Sequence, residues 1–226
     1  MLPRWDELDP RLQVPVVEPY FRYLDHRRLS LGVKRGLDLL LTIPALIVLA
    51  PFLAVLALVI LIADHAPPFY MSTRITTNFR PFRLIKFRTM RAGPGSSVTV
   101  RDDPRVTRVG RWLRHYRLDE LPQLINVVRG DMTLVGIRPE APVFVDAYTP
   151  EMRATLLLPA GLTSPASIDF LDEHQLLSGG DPHAKYVTVI LPQKMSLNLE
   201  YLRTYGILRD IHIVFETAFR MVFRDR

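Results

Sequence analysis

"LLLTIPALIVLAPFLAVLALVILIA", residues 39 to 63, runs for 25 residues without a charge. As a straight helix it would extend roughly 37 Å, enough to cross a hydrocarbon core of about 30 Å. It is apolar on every side, whereas helices of soluble cores alternate between faces, so it reads as a membrane segment. Pro44 and Pro51 lie inside it, seven residues apart and nearly on one face. Each removes a backbone hydrogen bond and bends the helix. Arg27, Arg28, Lys34 and Arg35 precede the segment; Arg74, Arg80, Arg83, Lys86, Arg88 and Arg91 follow it. A true span usually biases lysine and arginine to one side of the membrane. Basic flanks at both ends favour a re-entrant helix whose ends meet the same anionic leaflet, with a span as the alternative. Carbonyls freed near Pro51 would need a partner, and Thr42 is too far along the helix to be an obvious one.

Outward from that segment, residues 1–32 are charged and broken by prolines at 3, 10, 15 and 19. They carry no early apolar core of the signal-peptide kind and are expected to form an extended arm draped on a surface. The chain therefore divides into an arm (1–32), a membrane helix (33–64) and a folded domain (65–226). At 226 residues there is room for one domain with an appendage. Lysine plus arginine number 29 against 23 acids, a net +6 that suits a nucleic acid, an anionic membrane or a phosphorylated small molecule. Cysteine is absent, which excludes disulfides and thiolate metal sites and fits a reducing compartment.

In the folded part, "PPFYMSTRITTNFRPFRLIKFRTM" (67–90) predicts a β-hairpin turning near Asn78. "GPGSSVTVRDDP" (93–104) is a loop by composition. Residues 105–117 predict a helix with a slanting band of arginines at 105, 108, 111, 114 and 117, and with Trp112 and Leu113 on its buried side. A second helix is expected to start at Asp119 or Glu120, with Pro122 in its first turn, and to end at Gly130. The C-terminal "ILRDIHIVFETAFRMVFRDR" (207–226) is amphipathic and basic, with Phe215, Phe219 and Phe223 at helical spacing. It suits either a membrane interface or packing on the domain.

"RLDELPQLINVVRGDMTLVGIRPE" (117–140) sets adjacent carboxylates beside arginines. Asp119 can be an N-cap with Glu120 in the first turn. The same geometry serves chemistry. A helix N-terminus binds phosphate oxygens and keeps a carboxylate ionised, as a nucleophile must be. A second carboxylate can hold a hard divalent ion that bridges to phosphate. Arg114 and Arg138 could neutralise charge on a phosphoryl group. An anion-binding cluster tied to a membrane suits phosphoryl chemistry on a lipid phosphate.

Over roughly residues 33–224 the chain resembles the bacterial sugar transferases, the monotopic phosphoglycosyl transferases that act on a polyprenyl phosphate. The resemblance rests on "KRGLD" (34–38), "RPFRLIKFRTM" (80–90), "DDPRVTRVGRWLR" (102–114), "LDELPQLINVVRGDMTLVGIRPE" (118–140) and "LRDIHI" (208–213). Ala50-Pro51 stands at the family's helix-breaking Ser-Pro. The resemblance implies an α+β, mainly helical fold: a re-entrant membrane helix, interfacial helices and a small cytoplasmic domain with a β-hairpin. It implies transfer of a sugar-1-phosphate from a UDP-sugar to polyprenyl (undecaprenyl) phosphate, releasing UMP. Asp119 is then the nucleophile that forms a covalent phosphosugar, and Glu120 the Mg²⁺ ligand. Lys86, Arg88, Arg114 and Arg138 fall at basic positions expected to bind substrate. Expected partners are the UDP-sugar, the lipid phosphate and membrane lipid, with no nucleic acid, and self-association as a homodimer is left open. The expected location is the bacterial inner membrane, with the catalytic domain on its cytoplasmic face. The chain departs from the family pattern at Thr76 and Phe79, where glycines are usual, at Ile137 in "GIRP", and at Ser164 in "PAGLTSPAS". Two rival readings are a membrane-anchored basic binding protein and an assembly partner that lacks catalysis.

Overall fold

The computed structural model describes residues 2–93, 103–170 and 181–222 and is mainly helical. Its dominant element, α2 (Arg28–Asp64), is assigned as one helix of 37 residues, with Pro44 and Pro51 inside it. It follows α1 (Glu18–Asp25) and ends at His65, whose φ of 50° turns the chain out of the helix. The helix thus takes in Arg28–Gly32, which the sequence reading left in the arm. Its buried residues fall into two groups. Leu31, Lys34, Asp38 and Thr42 form a stripe near the start, and Leu56 and Ile60 lie near the end. No residue from 43 to 55 is buried.

The start of α2 is held by polar latches. Lys34 Nζ lies 2.5 Å from Asp210 Oδ2 on α9 (Ile207–Val222), and the Tyr201 hydroxyl of α8 (Leu191–Arg203) donates to Asp210 Oδ1 at 2.7 Å. Asp38 accepts from the hydroxyl of Thr133 and from the Leu134 N–H (3.2 Å). Arg35 donates to the carbonyls of Val127 (2.7 Å) and Val128 (3.0 Å), in the last turn of α4 (Gln123–Arg129). At the far end Asp64 accepts from Thr107 Oγ1 at 2.9 Å. Both ends of the apolar helix are thereby fixed to one folded body.

The N-terminal residues are not an extended arm. Leu2, Leu8, Leu12, Val17, Tyr20, Phe21 and Leu24 belong to the main hydrophobic core, alongside Phe144, Leu157, Tyr201 and Ile213. The prolines that suggested extension flank short turns instead, and Pro19 lies in the first turn of α1, where a missing N–H costs nothing. The segment also clamps the hairpin turn. Asn78 and Phe79 both hold φ near 56°, a left-handed conformation unusual for a phenylalanine. Asn78 Oδ1 accepts from the Asp9 N–H at 2.6 Å, and Arg11 stacks on the Phe79 ring at 3.7 Å.

The expected hairpin forms: β1 (Phe69–Ile75) pairs antiparallel with β2 (Pro81–Phe87) in the register Phe69↔Phe87, Tyr70↔Lys86. A second pair, parallel, joins β3 (Met132–Val135) to β4 (Ala160–Thr163). Here the backbones nearly touch. A Cβ on Gly161 would lie 2.2 Å from the Gly136 nitrogen, so only glycine fits.

The arginine helix is shorter than expected. As α3 it spans Arg108–His115, N-capped by Thr107, whose hydroxyl accepts from the Gly110 N–H at 2.8 Å. Leu113 is fully buried as expected, but Trp112 is 48% exposed. The residues around α4 also differ from expectation. Leu118–Glu120 form a 3₁₀ turn, and α4 begins only at Gln123, so Asp119 caps no helix. Proline at 122 supplies no N–H, and the chain uses it as the joint between the two turns. Gly130, at φ 84°, ends α4 as expected. On α9, Ile213 packs inward while Phe215 and Phe219 face outward; Phe223 and the 94–102 part of the expected loop lie outside the described residues.

Removing one member of a buried ion pair strands the other charge. Lys34→Met is expected to cost about 3–5 kcal/mol in unfolding experiments in detergent, and Lys34→Met with Asp210→Leu much less.

Candidate active site

The end of β2, the 3₁₀ turn and the strand-like segment after Gly136 converge on Glu120. Lys86 Nζ donates to Glu120 Oε1 at 2.9 Å, and Arg138 forks onto both carboxylate oxygens, its second bond 3.2 Å long. Arg117, itself in a left-handed conformation, stands 3.8 Å away. Burial alone would raise the Glu120 pKa, but Arg138 and then Lys86 outweigh it and hold the group well below the ordinary carboxylate range.

Asp119 is the opposite case. It is buried, and no described residue donates a hydrogen bond to its carboxylate. Burial raises its pKa, with Lys86 working against that and Glu120 adding to it. One acid is therefore clamped and firmly ionised, while its neighbour keeps unshared oxygen lone pairs in a positive field. The Lys86 ammonium is pulled down by burial, with Glu120 opposing.

Arg114 reaches the same region from α3. Its Nε donates to Thr89 Oγ1 at 2.8 Å, and Thr89 is fixed in turn because its carbonyl accepts from the Thr107 N–H at 3.1 Å. Two carboxylates thus lie among Lys86, Arg114, Arg117 and Arg138, a surplus of positive charge that suits an anion. Arg88, two residues beyond Lys86, donates through its Nε to the Pro67 carbonyl at 2.8 Å. The arginine band is divided accordingly, since Arg105 lies off the helix in a 2.6 Å pair with Asp103.

Several supporting residues were not singled out from the sequence. Asn126, fully buried on α4, accepts from the Ile85 N–H (3.0 Å) and donates to the Arg83 carbonyl (2.8 Å). It completes the free edge of β2 one residue before Lys86. Glu140, two residues beyond Arg138, is buried against the Tyr186 hydroxyl (2.5 Å) and Lys194 (3.1 Å). Burial would raise Glu140, but Lys194 and the tyrosine bond bring it below its usual value. The available signal was the polar side chain inside an apolar helix face, as at Asn126 between Val127 and Ile125, and the stripe 31, 34, 38, 42 entering α2.

The chain belongs to the bacterial sugar transferases, whose family model matches residues 29–224. It is 36% identical over 200 residues to an undecaprenyl-phosphate glucose phosphotransferase of Komagataeibacter xylinus, covering 84% of this chain and 36% of that protein. It is 36% identical over 198 residues to a UDP-glucose:undecaprenyl-phosphate glucose-1-phosphate transferase of Caulobacter vibrioides, covering 85% and 70%. It is 32% identical over 208 residues to the exopolysaccharide production protein PSS of Rhizobium leguminosarum bv. phaseoli, covering 88% and 99%. The chain therefore spans about a third of the first of these relatives and nearly the whole of the last.

Because Asn126 serves two buried backbone groups, Asn126→Ala is expected to lower stability by about 2–4 kcal/mol, read as a shift in thermal unfolding.

Proposed function

We propose that this protein transfers a sugar-1-phosphate from a UDP-sugar to undecaprenyl phosphate at a membrane surface, with release of UMP. The observation that carries the reading is the unequal acid pair: Glu120 locked by Lys86 and Arg138, and Asp119 beside it with no hydrogen-bond donor among the described residues. Names of family relatives that act on UDP-glucose and undecaprenyl phosphate support the same substrate class.

In the first half-reaction an Asp119 oxygen attacks the β-phosphorus of the donor. The new O–P bond forms as the bond to the bridging oxygen breaks, and UMP departs with that electron pair. In the second, an oxygen of the lipid phosphate attacks the same phosphorus and the Asp119 carboxylate leaves, giving ping-pong kinetics. Lys86, Arg114 and Arg138 balance the charge on the phosphoryl oxygens. Glu120 and Asp119 are hard oxygen donors of the kind Mg²⁺ takes, and because both Glu120 oxygens accept from Lys86 and Arg138, Glu120 would have to exchange one of those bonds to hold the ion. Among the described residues no third carboxylate or histidine joins them. When bound, the ion would neutralise charge on the diphosphate.

The reading also places α2 in the bacterial inner membrane as a re-entrant helix, with the catalytic domain on the cytoplasmic face. Its support is the pattern of burial. A straight helix of this length would extend about 55 Å, and if it lay along the domain its middle would be best covered. Instead both ends pack on the domain, through α4 and β3 at the start and α3 near the end, and no residue from 43 to 55 is buried. A helix that bends at its prolines and returns satisfies both facts.

Purified protein given a UDP-sugar, Mg²⁺ and undecaprenyl phosphate is expected to release UMP, and Asp119→Asn to lose at least about a hundredfold of that rate, on the order of 2.7 kcal/mol. With acceptor withheld, mass spectrometry of quenched protein should show the added phosphosugar; its absence would sink the covalent step. For topology, cysteines placed at both ends of α2 are expected to react together from one side of sealed vesicles, and protection of one end would mean a span.

A further inference from the structure

We infer that the outer flank of α3 is a membrane-interface anchor, with Trp112 and Tyr116 seated in the headgroup region of the bilayer that holds α2. The inference rests on the reading of α2 as a membrane segment. Around one buried cluster, Leu56 and Ile60 of α2, Phe87 of β2 and Leu113 of α3 pack together, and Val109 lies against them. Trp112 and Tyr116 follow Val109 by three and seven residues, so they continue its stripe along the helix toward solvent. Their rings meet edge to face at 5.6 Å, and each is about half exposed (48% and 53%).

Isolated exposed apolar side chains need no explanation, but these belong to a ring of them. Leu61 and Ile62, which follow Ile60 on α2, and Phe69 and Met71 on one face of β1 are also exposed, and Phe69 stacks on Phe87 of the same cluster at 5.4 Å. The patch is thus continuous with the uncovered apolar surface of α2, which selects lipid over a second copy of the chain as its occupant. The residue types agree. Tryptophan and tyrosine combine a large apolar body with one hydrogen-bonding tip and collect at membrane–water interfaces. Arg108 and Arg111 are exposed on the same helix and available to anionic headgroups. Arg114 leaves α3 on the side of Thr89, so the acid pair would stand about one helix diameter, ~10 Å, above the interface.

Trp5 and Trp112 are the two tryptophans, so Trp5→Phe makes Trp112 the sole reporter in the full chain. The protein is reconstituted in phosphatidylcholine–phosphatidylglycerol vesicles whose acyl chains carry bromine either near the headgroup or deep. Shallow bromine is expected to reduce Trp112 emission about twofold and deep bromine much less, as for an interfacial side chain buried 5–10 Å. Vesicle-bound protein quenched by neither lipid but open to aqueous iodide would overturn the anchor while leaving the placement of α2 intact. Shielding from both lipid and iodide would assign the face to a second copy and also overturn it. Protein that fails to co-sediment with vesicles would remove the membrane reading itself.

Discussion

A carboxylate taken out of water must be matched by positive charge or by donors, because the solvation it loses is worth several kcal/mol. That requirement organises both the fold and the site. Asp210 is matched by Lys34 and thereby holds the membrane helix to the C-terminal helix. Glu140 is matched by Lys194 and Tyr186. Glu120 is matched by Lys86 and Arg138, which brings the hairpin and the segment after β3 to a single point. Asp119 is the exception, buried with no hydrogen-bond donor among the described residues, beside a neighbour that is paired with Lys86 and Arg138. An unbonded carboxylate in a positive field is costly in a resting fold and useful in a reacting one.

The site's position follows from how the apolar helix is attached. Its start caps α4 through Arg35, and α4 follows the acid pair by two residues; its end joins the N-cap of α3, from which Arg114 extends. Two independent tethers to two site-bearing elements fix the apolar helix relative to the acid pair more firmly than one flexible linker would.

Much of this was legible in the sequence, for physical reasons that differ by element. The uncharged run of 25 residues has few alternative fates. The hairpin was marked by β-branched and aromatic residues around an asparagine that tolerates a left-handed turn. The acid pair and its arginines were visible because their types are chemically unusual together. Less legible were features decided by tertiary contact. Prolines at 3, 10, 15 and 19 suggest extension, but nothing local reveals that Leu8, Leu12 and Phe21 will be buried by residues more than a hundred positions away. Trp112 has the composition of an inward anchor, and the neighbouring Leu113 took that place. The left-handed Arg117 is invisible to any pattern of hydrophobicity, yet it replaces the expected helix start with a 3₁₀ turn and frees Asp119 from capping.

The latch between Lys34 and Asp210 joins residues 176 positions apart, and Tyr23 reaches the carbonyl of Tyr205 across 182. A ribosome adding about 5–20 residues each second needs roughly 10–35 s to bridge such a gap. The greasy helix has therefore left the exit tunnel before Asp210 has been synthesised. The rest of the chain closes on a helix already complete, and Lys34 stays unmatched until the last of these buried carboxylates arrives.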